Sequence, residues 1–168
     1  DIVHADETEV QVLKEPHREA KQKSRMWLFC APACDRPLYV YEYHPTRSGE
    51  VAERFLEGWT GTLTTDGYKP CFTIDGITNT ACLVHIRRKF AEIVKVAGGD
   101  IKAEEAGSVA LEARRMIDRM FAVDSKFDAL GAKERQVRRN SELRPLMDKF
   151  FVWAQVRQLE EEPTLALH

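Results

Sequence analysis

The order of strand-like and helix-like segments constrains the fold of this chain most strongly. Short runs rich in β-branched and aromatic residues predict three strands at the front, at about residues 1–10, 26–31 and 38–43. The charged stretch from Lys14 to Arg25 between the first two of these is predicted to be a loop. Short connections of this kind favour an antiparallel meander.

A short helix follows this meander, with Ser48 as its expected N-cap. Two further strands are predicted at about residues 61–68 and 78–84. Apolar residues then recur at helical spacing until Gly98-Gly99, and every pattern after Asp100 is helical. The sequence therefore predicts an α/β unit over residues 1–99 followed by an all-helical segment over residues 100–168.

The pattern of the helical segment also predicts which side chains are buried there. One helix carries Ala113, Met116, Ile117, Met120 and Phe121 on one face. A last helix is expected to start near Pro145, a residue suited to a first helical turn, and to fade near Glu160. Its predicted buried face consists of Leu146, Met147, Phe150, Phe151 and Ala154.

Composition limits the class of protein. The chain has 168 residues, of which 43% are hydrophobic and 31% charged, as in an ordinary soluble domain. A net charge of −2 excludes a globally basic nucleic-acid binder, so any affinity for DNA must come from local clusters. No apolar run approaches the roughly 18 residues that a membrane span needs. Four cysteines without a secretory context indicate free thiols or metal ligands, and we expect a cytoplasmic protein with no membrane partner.

An acid interrupts the first predicted strand. Period-two geometry places His4, Asp6 and Thr8 on one face, and Val3, Ala5 and Glu7 on the other. A carboxylate in such a run is usually exposed, paired or bound to a cation, because burying an unpaired charge is costly. One interpretation is therefore an edge strand with solvated acids. The other is half of a metal-binding acid pair, which requires a second carboxylate.

Asp66 is the candidate for that second carboxylate. It follows the fourth predicted strand and precedes Gly67. The ends of strands followed by turns are places where α/β folds locate chemistry. An Asp-Gly pair that only forms the turn is an equally good interpretation of these two residues alone.

Cysteine and histidine spacing allows a different site. Cys82 and His85 are spaced suitably for a metal, and Cys30 with Cys34 would complete a zinc site. Against zinc, Cys82 is predicted to lie in a core strand, where a lone cysteine usually packs as a small hydrophobe. The basic run after this pair consists of Arg87, Arg88 and Lys89. It is either a solvated helix face or a contact for phosphates.

Three motifs occur in series, His4-Ala5-Asp6-Glu7-Thr8, Gly61-Thr62-Leu63-Thr64-Thr65-Asp66-Gly67-Tyr68 and Ala81-Cys82-Leu83-Val84-His85-Ile86-Arg87-Arg88-Lys89-Phe90. Together they resemble the catalytic domain of the insertion sequence 66 family of bacterial transposases. The resemblance implies a ribonuclease H-like core, with a mixed five-stranded sheet and flanking helices, over residues 1–99, and a helical insertion over residues 100–168. It also implies DDE chemistry, in which two Asp and one Glu bind two Mg²⁺ (or Mn²⁺) ions and act on DNA at transposon ends.

On this resemblance, the expected catalytic residues and metal ligands are Asp6 and Asp66. His4, Cys82 and His85 are expected to support the site, while Arg87, Arg88 and Lys89 are expected to contact DNA, so that Arg87→Ala/Arg88→Ala should lose DNA binding. Zinc is not expected, and self-association into a homo-oligomer is left open.

The chain departs from the family at the third acid, because no Glu follows a paired-Asn motif. We therefore expect a C-terminally truncated fragment with weak or no strand-transfer activity, and a two-ion site only in the intact protein. Two alternatives are retained. One is a non-catalytic zinc-stabilised nucleic-acid or protein-binding module. The other is a metal-dependent nuclease on the same fold, in which Glu104, Glu105 or Glu142 completes the site.

Overall fold

The structure is a computed structural model that describes the backbone of residues 1–32 and 36–165 and the side chains up to residue 158. Contacts within it divide the chain into two compact units, Asp1–Ile86 and Arg87–His168. The predicted division into a catalytic core over residues 1–99 and a helical insertion over residues 100–168 stays a prediction.

In its described residues, the first unit contains five strands, one complete α-helix and the start of a second α-helix, in an α/β arrangement. In chain order these are β1 (Ile2–Gln11), β2 (Lys23–Ala31), β3 (Leu38–His44), α1 (Glu50–Phe55), β4 (Gly61–Thr65), a 3₁₀ segment (Lys69–Thr73) and β5 (Ile77–Ala81). The five predicted strands are therefore present, although β2 begins inside the stretch predicted as a loop, and β4 and β5 end before Asp66 and Cys82.

The sheet is mixed and has the strand order β3-β2-β1-β4-β5. β1, β2 and β3 pair antiparallel, as the predicted meander requires, whereas β4 runs parallel to β1 and β5 runs parallel to β4. β1 is thus the central strand, so the interpretation as an edge strand is wrong, although Asp6 and Glu9 are exposed to solvent as that interpretation expected. Of the acids on β1, Glu9 pairs with Lys23 and Arg25 of the neighbouring strand β2.

One face of the sheet forms the core of the first unit. Ala5, Trp27, Phe29 and Leu63 are almost fully buried there, together with residues of α1. The rings of Phe29 and Phe55 stack with their centroids 3.8 Å apart. Phe29 and Leu63 lie on the same face as Ala5 because side chains alternate along each strand, so β1 carries its other set of side chains, including Asp6, on the opposite face.

Two local predictions in this unit were wrong. Cys82 lies after the end of β5 and is only partly buried, so it is not a core-strand residue. The N-cap position of α1 is Gly49 rather than Ser48. Ser48 still satisfies a backbone donor, because its Oγ accepts a hydrogen bond from Glu50 N at 3.3 Å.

The second unit is helical. Its elements are the continuation of α2 (Leu83–Val96), then α3 (Asp100–Glu105), α4 (Val109–Asp124), a 3₁₀ turn (Ser125–Phe127), α5 (Ala132–Arg138), a π-helical segment (Arg139–Leu143) and α6 (Arg144–Leu165). Ala113, Ile117 and Met120 are buried on α4 as predicted, whereas Met116 is only partly buried and Phe121 is 37% exposed. No helix in the described part of the chain has the length and apolar content that a membrane crossing requires.

The last helix differs from its prediction. It follows the π-helical segment without a break and its backbone stays helical beyond Glu160. Of the five residues predicted to be buried on it, Phe150 is buried and Phe151 is 55% exposed. Apart from the π-helical segment that it continues, α6 packs mainly against α4. Its buried face is therefore narrower than the hydrophobic pattern predicted.

Candidate functional site

Asp6 lies on the sheet face opposite the core and borders a cavity of about 200 Å³. The cavity is lined by His4, Ala5, Asp6, Leu28, Cys30, Thr64, Thr65, Cys82 and His85. The structure therefore brings together Asp6 and the three residues predicted to support it. One oxygen of Asp6 accepts a hydrogen bond from Glu7 N at 2.9 Å, which fixes the carboxylate close to its own backbone.

His85 reaches this cavity from the first turn of α2. Its Nε2 is 3.7 Å from Asp6 Oδ2, while its Nδ1 is buried without a hydrogen-bond partner among the described residues. Cys82 precedes the helix, donates its backbone N–H to the carbonyl of Thr65 at 2.7 Å and accepts a hydrogen bond from His85 N at 3.1 Å. Cys82 thus joins the end of β4 to the start of α2 through its backbone, and this connection holds His85 next to Asp6.

Asp66 follows the last residue of β4. The register of β1 and β4 pairs His4 with Thr64. Asp6 lies two residues after His4 within β1, and Asp66 lies two residues after Thr64, just beyond the end of β4. Gly67, with φ +94°, turns the chain away directly after Asp66, in a conformation that favours glycine. Asp66 therefore follows the strand that pairs with β1, but it is not among the residues that line the cavity beside Asp6.

The carboxylate of Asp66 has a different partner from that of Asp6. Its Oδ2 is 3.5 Å from Arg47 Nη2, and Arg47 Nε is 2.5 Å from Glu7 Oε1. The side chain of Glu7 is only 6% exposed, since it lies on the face of β1 that carries Ala5. Burial raises the pKa of the Glu7 carboxyl above its usual value. The Arg47 charge opposes this shift, and the charges of Asp66 and Asp6 add to it.

Sequence reasoning missed Glu7 and Arg47 as members of this cluster. The signal for Glu7 was available, because period-two geometry places it with Val3 and Ala5 on the buried face. Arg47 gave no signal, since it lies in the irregular segment between β3 and α1. Only the folded chain brings it against residues that are 40 and 19 positions away in sequence.

Cys71 lies beneath the same cluster and is fully buried. Burial, together with the charges of Asp66 and Glu7, raises the pKa of its thiol to about 11. At pH 8 its thiolate fraction is then about one in a thousand, and the thiolate is the reactive form. We expect N-ethylmaleimide at pH 8 to label Cys71 at least about 100-fold more slowly than the partly buried Cys82, as measured by peptide mass spectrometry.

The control for this labelling experiment is the same reaction in guanidinium chloride, where both thiols should react at similar rates. Equal labelling rates of Cys71 and Cys82 in the folded protein would contradict the buried placement of Cys71.

The candidate zinc ligands belong to the first unit, whereas the candidates for a third acid belong to the helical unit. Cys30, Cys82 and His85 line one cavity, but Cys34 lies outside the described residues. Among the residues that are described, no group of three or more His, Cys, Asp or Glu side chains is arranged to hold a metal ion. Glu104 pairs with Arg115, and Glu142 pairs with Arg138, within the helical unit.

The three cations of the predicted basic run, Arg87, Arg88 and Lys89, differ in their contacts. Arg87 pairs with Asp118 of α4, in the same unit. Arg88 and Lys89 are exposed and have no ion-pair partner in the described part of the chain. These two cations are therefore available to an external anion, whereas Arg87 already has an acidic partner.

Comparison with known proteins identifies the family of this chain. The model of the family described as Transposase IS66 family matches residues 1–167. The chain is 26% identical over 170 residues to the uncharacterized protein y4hP of Sinorhizobium fredii, which covers 90% of this chain and 30% of that protein. It is 28% identical over 162 residues to the uncharacterized protein y4jD of the same organism, covering 86% of this chain and 29% of that protein.

The chain thus spans less than a third of the length of these two relatives. No solved structure matches it significantly. Because the family model extends over essentially the whole sequence, the chain belongs to the IS66 family of transposases.

Proposed function

We propose that this chain is part of a DDE transposase and supplies the first two acids, Asp6 and Asp66, of a site that cleaves and joins DNA at transposon ends. Membership of the family supports a role in transposition. The observation that supports the proposal is the parallel pairing of β1 with β4, because Asp6 follows the paired residue His4 by two positions and Asp66 follows its partner Thr64 by two positions. Asp6 is also the acid that faces a cavity and a histidine.

The proposal includes a ribonuclease H-like core. Three antiparallel strands, a helix, and two strands parallel to the first are consistent with that fold. In this scheme the helical unit is an insertion in a larger catalytic domain. The assignment rests on the strand order and on the family, and a solved structure of a relative would test it.

The donor set fits a hard divalent cation. Asp6 and Asp66 offer carboxylate oxygens, which Mg²⁺ and Mn²⁺ prefer, and Mg²⁺ usually takes one or two carboxylates from a protein. When bound, such ions would stabilise the charge that develops on the attacking and leaving oxygens of the phosphodiester. Asp6 and Asp66 would be the ligands, and His85 would orient Asp6.

Two carboxylates are fewer than a two-ion site requires. Among the described residues no third acid joins Asp6 and Asp66 in a metal-binding group. We therefore propose that the two-ion site forms in the intact protein and that this chain alone performs weak or no strand transfer. From its membership of a transposase family, we also propose that the intact protein acts in the cytoplasm.

DNA is the proposed partner, and Arg88 and Lys89 are the proposed contacts in the helical unit. Arg88→Ala/Lys89→Ala should weaken binding to a fluorescent duplex by about tenfold at 50 mM salt and reduce the slope of log K against log salt by about 2, because each cation that contacts a phosphate releases counterions. Fluorescence anisotropy over a salt series measures both quantities. Arg87→Ala should have a smaller effect, since its guanidinium pairs with Asp118.

The matched control is Arg115→Ala/Arg138→Ala, which removes the same charge from cations that already have acidic partners. An equal loss of affinity in both double variants would indicate a general charge effect and would contradict the specific role of Arg88 and Lys89.

A further inference from the structure

Arg47 makes four contacts next to the proposed acid pair. Its guanidinium lies between Glu7 Oε1 at 2.5 Å and Asp66 Oδ2 at 3.5 Å. The same group lies over the ring of Tyr68, with its central carbon 4.3 Å from the ring centroid. Its backbone carbonyl accepts a hydrogen bond from the Tyr68 hydroxyl at 3.0 Å. The side chain is therefore held in place on several sides.

The environment of these contacts makes the charge of Arg47 important. Glu7 is almost completely shielded from water, and Asp66 is 30% exposed, so their charges are screened less than those of surface carboxylates. Asp6 lies close enough to add to the negative potential at Glu7. A guanidinium between two such carboxylates balances charge in the same way as a bound cation would.

We propose that Arg47 is the internal counter-ion of the acid site and sets its affinity for divalent cations by competing for the carboxylate of Asp66. This inference rests on the proposed function, because it takes Asp66 as a cation ligand. Glu7 has a separate role in it, since it is the closer partner of Arg47 and draws the guanidinium away from Asp66.

The two partners should therefore have opposite effects. Removing the guanidinium leaves Asp66 free and makes the site more negative, which favours a dication. Removing the charge of Glu7 leaves Asp66 as the remaining acidic partner of Arg47 and also deletes a nearby negative charge. Both consequences of the second change disfavour a dication.

The test is Mn²⁺ binding to the full chain, measured by electron paramagnetic resonance of the free ion. Arg47→Met should tighten Mn²⁺ binding by about fivefold, which corresponds to the upper range of a partly exposed ion pair. Glu7→Gln should weaken it by a similar factor. Unchanged or weaker binding in Arg47→Met, or unchanged or tighter binding in Glu7→Gln, would overturn the proposal.

Matched controls come from the same unit. Arg54→Met removes a guanidinium that pairs with Glu42, and Glu9→Gln removes a β1 carboxylate that pairs with Lys23 and Arg25. Both should leave Mn²⁺ affinity within about twofold of the parent, because neither group contacts Asp66 or Glu7. A shift in Arg54→Met as large as that in Arg47→Met would also overturn the proposal.

Arg47→Met leaves the buried Glu7 without its closest cation, so this variant could fail to fold. The double variant Glu7→Gln/Arg47→Met avoids that problem, because it removes both charges. It should still bind Mn²⁺ more tightly than Glu7→Gln alone, and equal or weaker binding would contradict the competition.

Failure of this inference is distinguishable from failure of the proposed function. If Asp6→Asn and Asp66→Asn leave Mn²⁺ binding intact, the assignment of the acid pair fails, and the inference fails with it. If these variants lose binding but Arg47→Met does not gain it, only the role of Arg47 is wrong.

Discussion

Asp6→Asn and Asp66→Asn are each expected to weaken Mn²⁺ binding by about 100-fold, or about 2.7 kcal/mol. Each substitution keeps the size of the side chain but removes one of two anionic ligands, and an amide is a much poorer ligand than a carboxylate for a hard dication. Titration of the folded protein, followed by electron paramagnetic resonance, gives the dissociation constant directly.

Asp75→Asn is the matched control for both acid variants. Asp75 is an exposed acid in the same unit, in the segment before β5, and it receives the same chemical change. The Asp75→Asn variant should bind Mn²⁺ with an affinity within about twofold of that of the parent chain. Loss of affinity in one acid variant but not in the other would mean that the two carboxylates do not share a cation.

Trp27→Ala is expected to lower the free energy of unfolding by about 4 kcal/mol, the largest stability effect we predict. Trp27 is 1% exposed and packs against Phe29 and Tyr68, with ring centroids 6.0 and 6.1 Å away. Removing its ring leaves a large cavity under the sheet that carries Asp6. Urea unfolding at constant pH, followed by circular dichroism, measures this difference.

Trp27→Phe should lower the free energy of unfolding by no more than about 1 kcal/mol. The indole Nε1 is buried and has no hydrogen-bond partner among the described residues, so phenylalanine also removes an unpaired donor. Tyr41→Ala is the control for a large aromatic side chain, because Tyr41 is 67% exposed; it should change stability by less than about 0.5 kcal/mol. Equal losses in Trp27→Ala and Tyr41→Ala would contradict the described core.

The sequence predicted the type and order of the main elements well. Local patterns predicted the five strands, the antiparallel meander and the helical second half. They could do so because the periodicity of strands and helices depends on residues that are close in sequence. Element ends were less predictable. β4 and β5 stop before Asp66 and Cys82, since pairing with neighbouring strands, rather than local propensity, determines where a ladder ends.

The central position of β1 could not be derived from its own residues. Acids at Asp6, Glu7 and Glu9 favour an edge, whereas the fold places this strand between β2 and β4. The acids are accommodated because Asp6 faces a cavity, Glu7 pairs with Arg47 and Glu9 pairs with Lys23 and Arg25. Such partners come from distant parts of the chain, and only tertiary structure reveals them.

The candidate site was predicted in part. The motifs indicated Asp6, His4, Cys82 and His85, and the structure places these side chains around one cavity. The ion pair between Arg47 and Asp66 was not predicted, because a single arginine in a loop has no periodic signal. On the proposed function, a divalent cation at Asp66 would compete with this guanidinium.

Iron-directed backbone cleavage tests most directly whether Asp6 and Asp66 together hold one divalent cation, as proposed. Fe²⁺ bound in place of Mg²⁺, with ascorbate and peroxide, cuts the chain only near the bound ion, and mass spectrometry locates the cuts. We predict cuts near both residue 6 and residue 66, with both lost in Asp6→Asn and both lost in Asp66→Asn. Cuts at one of the two strands alone, or cuts that persist in either variant, would contradict the claim.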